Sequence, residues 1–160
     1  MIARRLILNA LPLFAALSFG HASADTLNVT QNIARRPELS VAYELIVKAG
    51  LQNDLNQSAV TVFIPTNEAF GKLKPADREK ITTDANVLKA TLKYHVIKGR
   101  QTAATAPTGM VDTLNGAKLE ISRAGDFLTL NEALVVTSDL DAGQSVVHVI
   151  DSVLVPATKK

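Results

Sequence analysis

The chain has no cysteine and no tryptophan among its 160 residues, and only two tyrosines and five phenylalanines. The absence of cysteine excludes disulfides, thiolate metal ligands, a thiol nucleophile and a lipid carried on cysteine. The fold must therefore hold by packing, and a chain of this length buries roughly two-thirds of its unfolded surface. Few aromatics argue against a deep stacking pocket. No glycine-rich phosphate loop and no G-x-S-x-G turn are present. Charge of one sign is not in excess either: Lys plus Arg is 17 and Asp plus Glu 15.

What is present begins with an address. Arg4 and Arg5 form a basic start, Leu6 to Phe19 is apolar, and Ala22-Ser23-Ala24 is an A-x-A cleavage signature. This pattern predicts a signal peptide over residues 1–24 and a single exported domain over 25–160, in the periplasm or outside the cell. The apolar stretch is short for a membrane span and contains Asn9 and Pro12, and no transmembrane segment is expected in the mature chain. Loss of Arg4 and Arg5 levels the basic and acidic counts, so no electrostatic footprint for nucleic acid remains. The Arg35-Arg36 and Lys159-Lys160 pairs read as solvated charges. Asn28-Val29-Thr30 and Asn56-Gln57-Ser58 match the glycosylation sequon, which matters only in a host that glycosylates.

The first half reads helical and the second half β. Pro37 and Glu38 open a helix in which Leu39, Ala42, Tyr43 and Ile46 recur at helical spacing up to Gly50. A strand over Val60–Ile64 precedes short helices from Asn67 to about Leu73 and from Pro75 to about Ile81. Asp84 caps the longest remaining helix, expected over Ala85–Val96, with Leu88, Leu92, His95 and Val96 on one face. Strands are expected over Val111–Leu114, Lys118–Ser122, Phe127–Leu130, Leu134–Thr137 and Val146–Val155. Asn115-Gly116 and Gly125-Asp126 serve as hairpin turns. The last strand is apolar on both faces and belongs in the interior. Helices followed by a strand meander give an α+β class rather than a parallel α/β sheet.

Three segments carry a resemblance. Thr61 to Phe70 (TVFIPTNEAF) runs a strand into Pro65, which offers no N–H to a ladder, and then into a helix that Thr66 would cap. Tyr94-His95 follows, and Val146 to Pro156 (VVHVIDSVLVP) comes about eighty residues after the first segment. In this order and spacing they resemble the first box, the Tyr-His motif and the second box of the fasciclin (FAS1) domain, from about Asn32 to Pro156. The resemblance implies a wedge-like β-sandwich of about seven strands with a helical layer, and adhesion or matrix contact as the family role. It nominates Thr66, Asn67, Tyr94, His95, His148 and Asp151 as partner contacts. One departure is Gly143-Gln144-Ser145, where the family usually has Asn-Gly before the second box.

Each nominee also has a structural explanation. His95 points at the core from its helical face and is read as a buried neutral imidazole. Tyr94 lies one step round the helix, so its ring packs while its hydroxyl stays wet. His148 and Asp151 fall on opposite sides of the last strand and cannot share a metal without a bulge. Asp151 is read as a backbone hydrogen-bonding group at a bend. Thr66 and Asn67 serve the strand-to-helix corner, where a cap is worth roughly 1 kcal/mol, and Asn67 could also face a partner. Ser145, His148 and Asp151 have triad residue types without triad spacing. Asp139 and Asp141 are placed in a solvated turn, without the full calcium-loop pattern. The expectation is an exported, non-catalytic module with no cofactor or metal, contacting a protein or polysaccharide surface component. The alternative is a carrier with a small apolar ligand between helices and sandwich.

Overall fold

The structure is a computed structural model and describes residues 26–157. The expected leader, Asp25 and the Lys159-Lys160 pair lie outside the described residues. Its centre is built from the two apolar runs. Strands β1 (Val60–Pro65) and β7 (Ser145–Ile150) are buried at every position, and they pair in parallel from Thr61 beside Val146 to Pro65 beside Ile150. Strand neighbours point to opposite faces, so each run serves two cores. Val60, Val62, Ile64, Val147 and Val149 face the helices. Phe63 and Ile150 face the interior of the sandwich, with Leu119, Ile121, Leu128 and Leu130.

The helical layer is α1 (Val29–Ala34), α2 (Ser40–Ala49), α3 (Gln52–Gln57), α4 (Asn67–Lys72), α5 (Pro75–Thr83) and α6 (Ala85–Tyr94), with a 3-10 turn at Pro37–Leu39. Gly50 ends α2 in the left-handed region at φ 69°, a conformation that costs glycine little. Asp84 caps α6 by accepting from the N–H groups of Asn86 and Val87. The remaining strands are β2 (Val96–Lys98), β3 (Gly109–Asp112), β4 (Lys118–Ala124), β5 (Phe127–Leu130) and β6 (Ala133–Ala142). The seven form one sheet in the order β2-β1-β7-β6-β5-β4-β3. Its two ends meet at an Ile97–Thr113 bridge, so the sheet curls nearly closed. The class is α+β as expected, with one parallel pair inside an otherwise antiparallel sheet.

Several boundaries differ from the sequence reading. Helix α6 stops at Tyr94, because Val96–Lys98 pairs with β1 and a backbone partner there outweighs the continuing helical period. Helices α1 and α3 were not anticipated, being too short to show a period. Strand β6 extends to Ala142, so Asp139 and Asp141 lie in a strand rather than in a turn. The register of β6 shifts twice between Val135 and Leu140, where Asp139 takes φ 59°. The loop to β7 is only Gly143-Gln144, and Gly143 supplies the positive φ that Asn-Gly would supply elsewhere. Strand β7 ends at Ile150 instead of continuing to Val155.

Candidate functional site

The corner after β1 is made by three short-range demands. Pro65 ends the strand, the Thr66 N–H donates to the Ile150 carbonyl (3.1 Å), and the Thr66 hydroxyl accepts from Ala69 N–H (3.2 Å), capping α4. Asn67 then reaches across to α2, which has no side-chain cap of its own. Its Oδ1 accepts from Val41 N–H at 3.0 Å, and its Nδ2 donates to the Pro37 carbonyl and to Ser40 Oγ, both at 3.0 Å. Asn67 therefore caps a second helix from 26 residues away. Around this corner Glu38, Ser40 and Glu68 are exposed, while Lys72 donates to the Asp151 carbonyl (3.1 Å).

Asp151 holds the other side of the corner. Its Oδ1 accepts from Leu134 N–H (2.9 Å) and from Ser152 Oγ (3.0 Å), at the bend where β7 ends. This is the backbone-binding role read from its position.

Tyr94 departs from expectation. It is only 4% exposed. Its hydroxyl donates to the Lys118 carbonyl (3.0 Å) and accepts from Asn131 Nδ2 (3.1 Å). The hydroxyl is therefore not wet: the β4 end and the β5–β6 turn cover the side of the helix that periodicity alone left open. His95 is buried, as its face implied. Its Nδ1–H donates to the Thr91 carbonyl (2.7 Å) and its Nε2 accepts from Leu154 N–H (3.0 Å). Burial lowers its pKa from 6.5 to about 4, against a smaller opposing effect of the Thr91 hydrogen bond.

His148 is fully buried on the sandwich side and stacks on Phe63, with ring centres 5.4 Å apart. Its Nδ1 accepts from Asp139 N–H (3.2 Å) and its Nε2–H donates to the Gln101 carbonyl (2.9 Å). Burial pushes its pKa down, opposed first by the Gln101 hydrogen bond and then by the Asp139 charge.

These bonds decide the chemistry. Both imidazoles spend both ring nitrogens on the backbone, which leaves neither a lone pair for a metal. Ser145 Oγ donates to the Ser58 carbonyl (2.9 Å) and accepts from Val60 N–H (3.1 Å), so it does not meet His148. The triad types are not brought together. Among the described residues no group of three His, Asp or Glu could hold a metal, and every buried side-chain nitrogen or oxygen has a partner.

Between helices and sheet lie an apolar cavity of about 30 Å³, lined by Ile46, Leu51, Leu55, Val62, Leu92 and Val96, and a more open, part-polar cleft of about 460 Å³ lined by Asp54, Gln57, Val60, Lys93 and Lys98. Ligand pockets are roughly 300–1,000 Å³. Phe127 and Met110, 63% and 65% exposed, stand on the outer face of the sheet. Sequence reasoning passed over both, although the alternation of Phe127 with buried Leu128 was the available signal. Among the described residues no helix is long and apolar enough to cross a membrane.

The Fasciclin domain family matches residues 37–156. The immunogenic protein MPB70 of Mycobacterium bovis is 34% identical over 150 residues, spanning 89% of this chain and 77% of that protein. The cell surface glycolipoprotein MPB83 of the same species is 41% identical over 106 residues, 66% of this chain and 48% of that protein. The transforming growth factor-beta-induced protein ig-h3 of Sus scrofa is 38% identical over 125 residues, 76% of this chain and 18% of that protein. In three dimensions the chain resembles a FAS1 domain pair from the insect cell adhesion molecule fasciclin I. The TM-score is 0.68 at 16% identity, over 83% of this chain and 51% of that one. A match over most of the chain, relatives above 30% identity and a shared fold lead to one assignment: the chain belongs to the fasciclin domain family.

Proposed function

We propose that this protein is an exported, non-catalytic binding module whose partner is a protein or polysaccharide of a cell surface or extracellular matrix. Residues 1–24 are its leader and 25–160 its single domain. The observation that carries this reading is the corner between β1 and α4. Thr66 and Asn67 are spent on fixing two helix starts, and the fixed corner presents the exposed side chains of Glu38, Ser40 and Glu68. Rigid presentation lowers the ordering cost of an encounter. The relatives include a cell surface glycolipoprotein and a cell adhesion molecule, which fits the same reading. Within it Thr66 and Asn67 position the surface, whereas Tyr94, His95, His148 and Asp151 act beneath it as framework.

The carrier reading finds less support, because the apolar cavity between helices and sheet is far smaller than a ligand pocket and the wider cleft beside it is open and lined by Asp54, Lys93 and Lys98. The test is binding of the purified mature chain to cells and envelope fractions of the producing organism, beside a Glu38→Lys/Glu68→Lys variant of verified fold. Saturable binding that the variant loses supports the corner as the contact. Equal binding by both moves the contact elsewhere, and no binding in any fraction removes the adhesive reading. Amino-terminal sequencing of the exported protein should begin at Asp25.

A further inference from the structure

Residues 99–108 leave β2 and cross the end of the sandwich to reach β3 without regular structure. They are held at defined points. Thr61 Oγ1 donates to the Gly99 carbonyl (2.7 Å) and accepts from Gln101 N–H (2.8 Å). His148 donates to the Gln101 carbonyl, Asp139 Oδ1 accepts from Ala103 N–H (2.7 Å), and Arg123 donates to the Ala103 carbonyl. Ala106 then inserts into the interior cluster with Leu119 and Leu128. The segment is a strap over the sandwich core.

We propose that His148 and Asp139 form an acid-sensitive latch on this strap, and that proton uptake by His148 frees residues 101–106 while the β1–β7 centre stays folded.

The argument rests on the two bonds of one ring. Nδ1 is an acceptor for Asp139 N–H, and Nε2–H is a donor to the strap. A proton arriving from solvent at Nδ1 turns that acceptor into a donor facing another donor. The carboxylate of Asp139 belongs to the same residue, but it is committed to Ala103 N–H. Swinging toward the imidazolium would release Ala103; staying in place would leave two N–H groups opposed. The first response removes one hold on the strap, and the second displaces the ring whose Nε2–H is the other. Asp139 is exposed, so the latch lies at the protein surface although the ring is buried.

The charged groups around the latch are Asp139 and Asp141 on β6, Arg100 at the start of the strap and Arg123 on β4. Arg100 is bound to the Asp141 carboxylate and to the Gly143 and Ser145 carbonyls. Strands β1 and β5 bring no charge, and β7 brings none besides His148. The lowered pKa of His148 places release below the ordinary histidine range, and Asp139 moderates the lowering. The device controls access to the apolar interior at one end of the sandwich. It is independent of which partner the corner binds.

Amide exchange of the purified mature chain, followed residue by residue by NMR from about pH 7.5 to about pH 4 and corrected for intrinsic rates, tests it. Protection of Ala103 and Ala106 should fall about tenfold across this range, while the β1 and β7 amides lose no more than the global stability measured by urea unfolding at the same pH. Asp139→Asn keeps the acceptor for Ala103 and suits the positive φ, and removing its charge should move the transition to lower pH. His148→Gln should abolish the pH dependence. If His148→Gln does not fold, the direction of the Asp139→Asn shift still decides. The proposal is overturned if Ala103 and Ala106 keep constant protection, if they lose it only in step with the global loss of stability, or if Asp139→Asn leaves the transition in place.

Discussion

His95 and His148 are both buried imidazoles with one N–H on a carbonyl and one lone pair on a backbone N–H, yet they stand in different company. His95 joins the end of α6 to Leu154 with no charged side chain bonded to it, and burial dominates its ionisation. His148 joins the strap to β6 and has the Asp139 charge beside it. The same bonding pattern therefore makes a permanent clamp in one place and a releasable latch in the other. What differs is how readily each ring is charged: desolvation alone opposes a proton at His95, whereas a carboxylate partly compensates for it at His148.

The strongest way to break the comparison is Phe63→Ala, which removes the ring on which His148 lies. An emptied aromatic site should cost about 3–5 kcal/mol in urea unfolding, and the strap should lose protection even at neutral pH. The next effect is pH-dependent. His95 has a lower pKa in the fold than in the unfolded chain, so its stabilising effect is complete above about 6.5 and is lost as pH falls toward about 4. The shift corresponds to roughly 3 kcal/mol. Unfolding of wild type and His95→Gln at both ends of that range should show a flattened profile for the variant.

Asn67→Ala sharpens the contrast from outside both histidine regions. It uncaps α2 and should cost about 1–2 kcal/mol without altering the pH profile. A changed pH profile would mean that the corner and the latch are coupled. The smallest effect is Tyr94→Phe, about 1 kcal/mol for the two lost hydrogen bonds. It should leave binding to envelope fractions intact, because the hydroxyl faces Lys118 and Asn131 rather than solvent. Loss of binding at unchanged stability would return Tyr94 to the contact surface.

Local signals are legible in the sequence where the chain decides locally. Thr66 and Asp84 cap the helices they were expected to cap, Gly50 stops α2, and Gly125-Asp126 turns β4 into β5. Asp151 and His95 have the structural roles read from their position. The hydroxyl environment of Tyr94 is not legible in the sequence, because helical periodicity gives a direction but not what lies there. Asn67 was recognised at its own corner, while its bond to Val41 was invisible, since α2 and α4 meet only after folding. The strand position of Asp139 is not legible in the sequence, because the two register shifts in β6 have no sequence mark.

The amino-acid sequence by itself determined the composition limits, the order of helices before meander, the two interior strands and the family. These follow from short-range propensity, apolar patterning and motif spacing, all of which act along the chain. Tertiary structure alone decided that β1 and β7 lie side by side in parallel, that β2 replaces the end of a helix, and that His148 and Asp139 share a strap. Those outcomes depend on which backbone groups find partners across a sheet, and a hydrogen bond between residues tens of positions apart leaves no trace in either local stretch.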